Sequence, residues 1–369
     1  MRGDNEAGGD DLWDRFCDDL KRAGRVLRRP ATPGDELTRA EGLRFLVRMV
    51  GIGFENSFDL GDPEHPRLIP MIDPLKVYEG VTSDARYFHS FIDGTASYRI
   101  VGTRGNAPLI EVSVYTGKAG IHEKSHQIGA LTERDLVIAA DGTLEVALGP
   151  DPQPGNWIPT SADTKYLMVR QYAHDWSGLE EAVLRIERVG GSARRPPVSL
   201  EAIEDGLRKT AEFAATAPGF WADISDYWAG AVVNRFVAQR QADEKTDIGA
   251  PTGHHFSCGW FRLAPDEALV ATLSPQEVPY WSLGLANYWY ETLGFGERGS
   301  EINDRTSIRE PDGSVRAVIA DTAPRGPNWL DTRGHREGTM IFRWSRSSDP
   351  VPPIQSAVVK RSDLPESEA

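Results

Sequence analysis

The chain repeats one sequence pattern, and this duplication constrains the fold more than any other feature. The pattern is an Asn-Trp pair, a polar turn and an apolar run that contains an arginine. Asn156 and Asn328 are separated by 328 − 156 = 172 positions, and Arg170 and Arg343 by 343 − 170 = 173. Two earlier landmark pairs keep a shift of 171: Asp141 with Asp312, and Pro108 with Pro279. Landmarks that hold register over this distance indicate two copies of one β-rich unit.

Strand-like segments follow one another at short intervals between turns rich in Gly, Pro and Asp. Leu109–Tyr115 alternates apolar and polar residues, which is typical of a half-buried strand. Comparable runs are Ala96–Val101, Leu136–Ile138, Leu144–Leu148 and Tyr166–Arg170. Short strands at this spacing favour a β-sandwich or a jelly roll. We therefore predict a mainly β protein with accessory helices, built as two tandem β-sandwich or jelly-roll-like units.

Helical patterns mark the N-terminus and the connection between the copies. Leu12 and Leu20 belong to an apolar stripe at helical spacing, and Thr38–Glu41 predicts a capping box for a second helix. In the connector, a helical pattern begins at Ser199 and should break near Pro218. The predicted layout is an N-terminal helical segment (1–60), a first β-sandwich unit (61–190), a linker with connecting helices (191–250), a second β-sandwich unit (251–350) and a C-terminal tail (351–369).

Charge and cysteine content narrow the expected partners and compartment. The net charge is −14, which argues against binding to nucleic acid or to anionic lipid. Cys17 and Cys258 lie far apart, so we expect neither a disulfide framework nor a thiolate zinc site. No apolar run follows Met1, and no segment reaches about 18 apolar residues, the length of a membrane span. We expect a cytoplasmic protein with a small-molecule partner and leave homo-oligomers open.

Both copies of the pattern resemble a known family. The residues that carry the resemblance include Asp141-Gly142, Asn156-Trp157 and Asp175-Trp176 in the first copy, and Asn328 to His335 in the second. They are similar to proteins that contain the domain of unknown function 1214, and the similarity covers roughly residues 85–360. The resemblance implies a β-sandwich or jelly-roll fold, often paired with the sister domain of unknown function 1254. It implies no agreed reaction and no catalytic residues.

One motif with metal-ligand spacing is present. His122, Glu123 and His126 match H-E-x-x-H, in which two histidines on a helix hold zinc and the glutamate activates water. Gly117, Gly120 and Gly129 surround the motif, which lacks the apolar helix that such a site needs. We favour a polar loop and predict no metal or other cofactor, with zinc only if this motif proves to be a site.

Differences between the two copies suggest where function lies. Asp331 and His335 have no counterpart in the first copy, so we predict them as catalytic residues, with Arg343 as a clamp for an anionic group. The alternative is that these side chains build turns and Arg343 pairs with an Asp at the core edge. Predicted ligand-binding residues are aromatic or histidine side chains of the second copy: Trp329, Tyr280, Trp281, Tyr288, Trp289, His254 and His255. An aromatic core is the alternative for the Trp and Tyr residues.

His174 and Asp175 are adjacent after the first arginine-bearing strand, and a carboxylate beside a histidine can make it a base. A structural turn is the interpretation we favour there. For the whole chain we expect an enzyme that acts on a small, partly apolar or sugar-like organic molecule. It would be a hydrolase or lyase without a redox cofactor. The alternative is a non-catalytic binding or scaffold protein.

Overall fold

The structure is a computed structural model that describes residues 7–117, 125–192, 194–239, 251–275, 277–297, 299–322, 326–347 and 351–364. The chain divides into two compact units, each assembled from three segments. Unit 1 comprises Met1–Met71, Tyr87–Gln171 and Leu179–Phe220, and unit 2 comprises Ile72–Arg86, Tyr172–Gly178 and Trp221–Ala369.

The first sandwich contains a five-stranded and a four-stranded sheet. The five-stranded sheet has the order β1-β2-β8-β4-β5, and the four-stranded sheet has the order β7-β6-β3-β9. The strands are β1 (Ile69–Pro70), β2 (Ala85–Phe91), β3 (Tyr98–Thr103), β4 (Leu109–Tyr115), β5 (Gln127–Thr132), β6 (Thr143–Gly149), β7 (Trp157–Pro159), β8 (Tyr166–Tyr172) and β9 (Val183–Arg188).

Alternate residues of β4 face opposite sides of the five-stranded sheet. Ile110, Val112 and Val114 belong to the apolar core of the sandwich. The intervening residues therefore point to the other side, which we call the outer face. The predicted half-buried strand is wrong, because all seven residues of β4 are buried. Its polar side chains avoid water because they bond to one another, as described below.

The second sandwich repeats the topology of the first. Its sheets have the orders β10-β11-β17-β13-β14 and β16-β15-β12-β18. The strands are β10 (Val237–Ala238), β11 (His254–Arg262), β12 (Glu267–Leu273), β13 (Tyr280–Ala286), β14 (Glu301–Asn303), β15 (Val315–Ala320), β16 (Trp329–Asp331), β17 (Glu337–Ser345) and β18 (Gln355–Lys360).

The duplicated sequence landmarks occupy equivalent places. Trp157 begins β7, which pairs in parallel with β6, and Trp329 begins β16, which pairs in parallel with β15. Each indole nitrogen donates to a carbonyl oxygen at the end of the neighbouring strand, at 3.2 Å for Trp157 and 3.0 Å for Trp329. Asn156 and Asn328 each bond the main chain of two segments through the side chain. The prediction of two tandem sandwich units is confirmed.

The described residues contain three α-helices: α1 (Ala7–Ala23), α2 (Glu36–Phe54) and α3 (Leu200–Ala231). The predicted capping box is wrong, since Asp35 caps α2 by accepting from Thr38 N at 2.9 Å. The predicted break at Pro218 is also wrong. Helix α3 continues through it because Ala214, Ala217 and Trp221 are buried, and this packing outweighs the lost main-chain hydrogen bond. Within the described ranges, no helix combines the length and apolarity needed to cross a bilayer.

Candidate functional site

A buried arginine organises the outer face of the first five-stranded sheet. Arg170 lies on β8, and its Nη1 donates to Glu111 Oε1 at 3.3 Å, Ser113 Oγ at 3.0 Å and Tyr115 Oη at 2.5 Å. The three acceptors are alternate residues of β4, so they share a face. All four side chains are at least nine-tenths buried. We call these four residues the Arg170 cluster.

The Tyr115 hydroxyl is oriented by its neighbours. A guanidinium can only donate, so Tyr115 Oη accepts from Arg170. The single proton of Ser113 Oγ has two acceptors within reach, Tyr115 Oη at 3.2 Å and Met168 O at 3.4 Å. The Tyr115 proton is consequently directed away from Arg170. Burial raises the pKa of Tyr115 and the Glu111 charge raises it further, whereas Arg170 and Ser113 oppose the shift. Tyr115 is therefore protonated at neutral pH and can donate a hydrogen bond.

Aromatic rings surround the Arg170 cluster. Tyr166 stacks on Tyr115 with ring centroids 5.0 Å apart and an interplanar angle of 11°. The Arg170 guanidinium carbon lies 5.2 Å from the Tyr115 centroid and 5.9 Å from the Tyr87 centroid. The arrangement combines flat apolar surfaces with hydrogen-bonding groups, as ligand-binding surfaces commonly do.

A β-bulge positions two side chains, Gln127 and Ser125, at the edge of the Arg170 cluster. The register of β4 and β5 shifts between Val114 and Tyr115, so that Tyr115 pairs with Gln127. Gln127 Nε2 then donates to Glu111 Oε1 at 3.1 Å, and Ser125 Oγ bonds Tyr166 Oη at 2.5 Å. Gln127 and Ser125 are half-buried and lie beside the buried cluster. Bulges of this kind commonly re-aim side chains beside functional sites.

The matching face of unit 2 lacks these side chains. Strand β13 aligns with β4 at the shift of 171 (280 − 109), which places Ser282, Gly284 and Ala286 at the positions of Glu111, Ser113 and Tyr115. Arg343 matches Arg170, but its Nη2 donates to the main-chain oxygen of Gly80. Segment 80–84 of the chain thus covers the outer face of the second five-stranded sheet.

Close packing and side-chain bonds hold this segment in unit 2. A Cβ at Gly80, where φ is +54°, would lie 2.5 Å from Ile341 Cδ1 and 2.9 Å from the Tyr290 ring. Asp84 Oδ2 accepts from Tyr280 Oη at 2.9 Å and from Asn303 Nδ2 at 2.8 Å. We call Asp84, Tyr280 and Asn303 the Asp84 network. Burial, and next the Asp84 charge, raises the pKa of Tyr280 well above its ordinary value.

The structure does not bring the three predicted catalytic residues together. Arg343 lies on the outer face of the five-stranded sheet, whereas Asp331 ends β16 in the opposite sheet. Leu330, the residue before Asp331, faces the sandwich core, so the Asp331 side chain points away from that core. Asp331 Oδ1 accepts from Arg333 N at 2.8 Å, and the Nδ1 of buried His335 donates to Thr332 O at 2.7 Å. These contacts build the turn after β16.

The predicted ligand-binding residues are dispersed through unit 2. Tyr280 and His254 flank the Tyr172 ring, with centroid distances of 5.3 and 5.8 Å. Trp281 faces the apolar core, and Tyr288 Oη donates to Asp226 Oδ1 at 2.7 Å. The remaining three residues are held by main-chain groups or buried, namely Trp329 (bonded to Ala320 O), His255 (bonded to Ser347 O) and Trp289 (fully buried).

Two histidine motifs have different outcomes. His122 and Glu123 lie outside the described residues, and His126 is exposed. Within the described part of the chain, no three His, Cys, Asp or Glu side chains are grouped as metal ligands. His174 Nε2 lies 2.9 Å from Asp304 Oδ1, so the carboxylate that it contacts there comes from a distant part of the sequence.

Comparison with known proteins identifies the family. Residues 81–175 and 268–348 match the profile described as protein of unknown function DUF1214. A crystal structure of an uncharacterised protein from Burkholderia cenocepacia is 32% identical, with coverage of 96% of this chain and 98% of that chain and a TM-score of 0.90. The chain belongs to the DUF1214 family.

A more distant structure adds no functional information. The VPA0106 protein from Vibrio parahaemolyticus is 11% identical, with coverage of 93% of this chain and 100% of that chain and a TM-score of 0.45. The search of curated proteins gave no match.

Sequence reasoning missed Glu111, Ser113 and Tyr115 because it assigned the polar face of β4 to solvent. The repeat contains the signal that could have found them. At the shift of 171, a Glu-x-Ser-x-Tyr strand aligns with Ser-x-Gly-x-Ala, while the neighbouring arginine is present in both copies. This is the largest change in side-chain size and polarity between the two matching strands.

Proposed function

We propose that the chain is an enzyme that acts on a small, partly apolar or sugar-like organic molecule at the Arg170 cluster, by acid–base chemistry of the hydrolase or lyase type. The observation that carries the proposal is the buried Tyr115 hydroxyl, which accepts a hydrogen bond from Arg170 and therefore keeps its own proton for a different acceptor. Unit 2 builds the same fold without this tyrosine, so the fold does not require it.

In the proposed reaction, Tyr115 gives its proton to the oxygen that leaves the substrate. The carbon–oxygen bond breaks, and its electron pair remains on that oxygen, which takes the proton. The adjacent Arg170 charge stabilises the phenolate that Tyr115 becomes. One proton is released in the other half of the reaction, from the attacking water in a hydrolysis or from carbon in an elimination, and it restores the tyrosine. Proton transfer completes either reaction, so the proposal includes no redox cofactor.

The proposed location is the cytoplasm. Cys17 and Cys258 are free thiols, and Cys258 is fully buried, with a pKa that burial raises to about 12. Such a thiol is inert as a nucleophile, and unpaired cysteines suit a reducing compartment.

Two buried tyrosine hydroxyls allow a matched test. Wild type is assayed against aryl glycosides, esters and hydroxylated small molecules, and a substrate that it converts is then given to Tyr115→Phe and Tyr280→Phe. We expect Tyr115→Phe to lose about 10²–10⁴-fold in kcat/KM, the usual contribution of a general acid. Tyr280→Phe should keep kcat/KM within about threefold while lowering the unfolding midpoint, because its hydroxyl serves the Asp84 network. Undiminished turnover by Tyr115→Phe would refute the proposal.

A further inference from the structure

We infer that two copies of this chain form a symmetric dimer by pairing the open edges of their β9 strands. Strand β9 ends the four-stranded sheet of the first sandwich, and among the described residues it pairs with β3 alone. It contains no proline, no lysine and no bulge, three features that commonly protect a sheet edge from pairing. The inference goes beyond the proposed function, because the Arg170 cluster lies on the other sheet.

The main chain of β9 directs alternate residues to the open edge. Val189 N donates to Ser97 O at 2.9 Å, in register with the β3–β9 ladder. Because bonding direction alternates along an antiparallel strand, the odd-numbered residues of β9 bond β3 and the even-numbered residues face outward. The outward residues are Leu184, Ile186 and Arg188. Of their N–H and C=O groups, only Arg188 O meets another main-chain group among the described residues, Gly191 N at 3.4 Å.

An antiparallel pairing centred on Ile186 uses these outward groups. Ile186 then pairs with Ile186 of the second copy, and Leu184 pairs with Arg188 on each side of it. Residues paired in this way exchange two main-chain hydrogen bonds. The two four-stranded sheets would thus continue into one another across a two-fold axis, as an isologous interface requires.

Opposite charges meet in this register. The sequence Val-Leu-Arg-Ile-Glu-Arg-Val over 183–189 places Arg185 of each copy opposite Glu187 of the other, and Val183 opposite Val189. These are the non-hydrogen-bonded pairs, in which side chains approach each other most closely. Val183 and Val189 are 72% and 59% exposed, and Arg185 is also exposed. The open edge is therefore complementary to a second copy of itself.

Both charged side chains can reach across the edge. Within the described part of the chain, Arg185 forms no salt bridge. Glu187 is bonded through Oε1, to which Arg99 donates from Nε at 2.8 Å and from Nη2. An arginine of the second copy can donate to Glu187 Oε2, because a carboxylate accepts several hydrogen bonds.

The corresponding edge strand of unit 2 lacks this pattern. Strand β18 ends its four-stranded sheet as β9 does, but its one charged residue is Lys360. Two copies of β18 therefore cannot form pairs of opposite charge. The fold does not require a self-complementary edge strand, so this sequence is a feature of unit 1.

An exchange of charges tests the pairing. We expect wild type to dimerise with a micromolar Kd, measured by sedimentation from about 1 to 100 µM. Arg185→Glu and Glu187→Arg each place like charges opposite one another in a homodimer, so each should raise Kd at least about tenfold. An equal mixture of the two variants places acid opposite base at every charged position. It should form a heterodimer with a Kd within about threefold of the wild-type value.

Gln355→Glu is the matched control, since it adds a negative charge to the exposed start of β18. It should leave Kd within about twofold, because β18 takes no part in the proposed pairing. Hydrogen exchange of wild type provides a second readout, and peptides that cover 183–189 should exchange more slowly as protein concentration rises. A wild type that is monomeric at about 100 µM, undiminished association of Arg185→Glu, or no heterodimer in the mixture would overturn the inference.

Discussion

Arg170 and Arg343 occupy matching positions on the outer faces of two sheets with the same topology, yet they bond different kinds of partner. Arg170 bonds three side chains of one neighbouring strand, whereas Arg343 bonds a main-chain oxygen of segment 80–84. In unit 2 the chain itself fills the face. In unit 1 the face holds a buried charge pair, a serine and a tyrosine. The two copies thus share the arginine but differ in the groups to which it donates hydrogen bonds.

The largest expected effect distinguishes the two arginines. Arg170→Met removes the cation that bonds buried Glu111, which should cost about 3–5 kcal/mol in the free energy of unfolding. Arg343→Met leaves an uncharged carbonyl oxygen unbonded and should cost about 1–3 kcal/mol. Urea unfolding followed by circular dichroism measures both.

A double variant provides the control for this comparison. Glu111→Gln combined with Arg170→Met removes both charges and should recover much of the stability that Arg170→Met alone loses. Equal losses at the two arginines, or no recovery in the double variant, would show that the two faces are held in the same way.

A glycine substitution tests whether segment 80–84 packs closely on the outer face of the second five-stranded sheet. Gly80→Ala combines left-handed backbone strain with a clash against Ile341 and Tyr290, so we expect a loss of about 3 kcal/mol. Gly155→Ala is the matched control, since Gly155 has φ of +79° but nothing within 4 Å of an added Cβ. It should lose only about 1–2 kcal/mol, from backbone strain. Similar unfolding midpoints for the two variants would contradict a packed face at Gly80.

The smallest expected effect concerns pH. Glu301 accepts from Ser83 N, and burial, with a contribution from Asp84, raises its pKa above the ordinary value of 4.5. The folded state therefore holds this proton more tightly than the unfolded state. The stability that this bound proton contributes is complete below pH 4.5 and is lost as pH rises through the raised pKa of Glu301. Wild type should lose stability relative to Glu301→Gln as pH rises above 4.5, measured by urea unfolding, and a constant difference would refute this.

The sequence was sufficient for the architecture, because the repeated residues have local structural roles. Asn156 and Asn328 bond nearby turns, and the Trp that follows each begins a short parallel strand. These roles depend on contacts within about twenty residues, so a spacing pattern reveals them.

The candidate site was less predictable, for two physical reasons. Alternation along β4 indicates which side chains share a face but not whether that face meets water, so it predicts a half-buried strand although Glu111 and Tyr115 are buried. Closure of unit 2 depends on contacts such as Tyr280 with Asp84, which are 196 positions apart, and no local pattern encodes such a pair. Asp331 and His335 differ between the copies, but Asp331 ends a strand of the sheet opposite Arg343 and His335 lies in the turn that follows it.

The most direct test of the central claim is a crystal structure of the protein with a bound slow substrate. The account predicts ligand density on the outer face of the first five-stranded sheet, within hydrogen-bond distance of Tyr115 and against the Tyr166 ring. Density beside Asp331 and His335, or on the outer face of the second five-stranded sheet after displacement of segment 80–84, would contradict it.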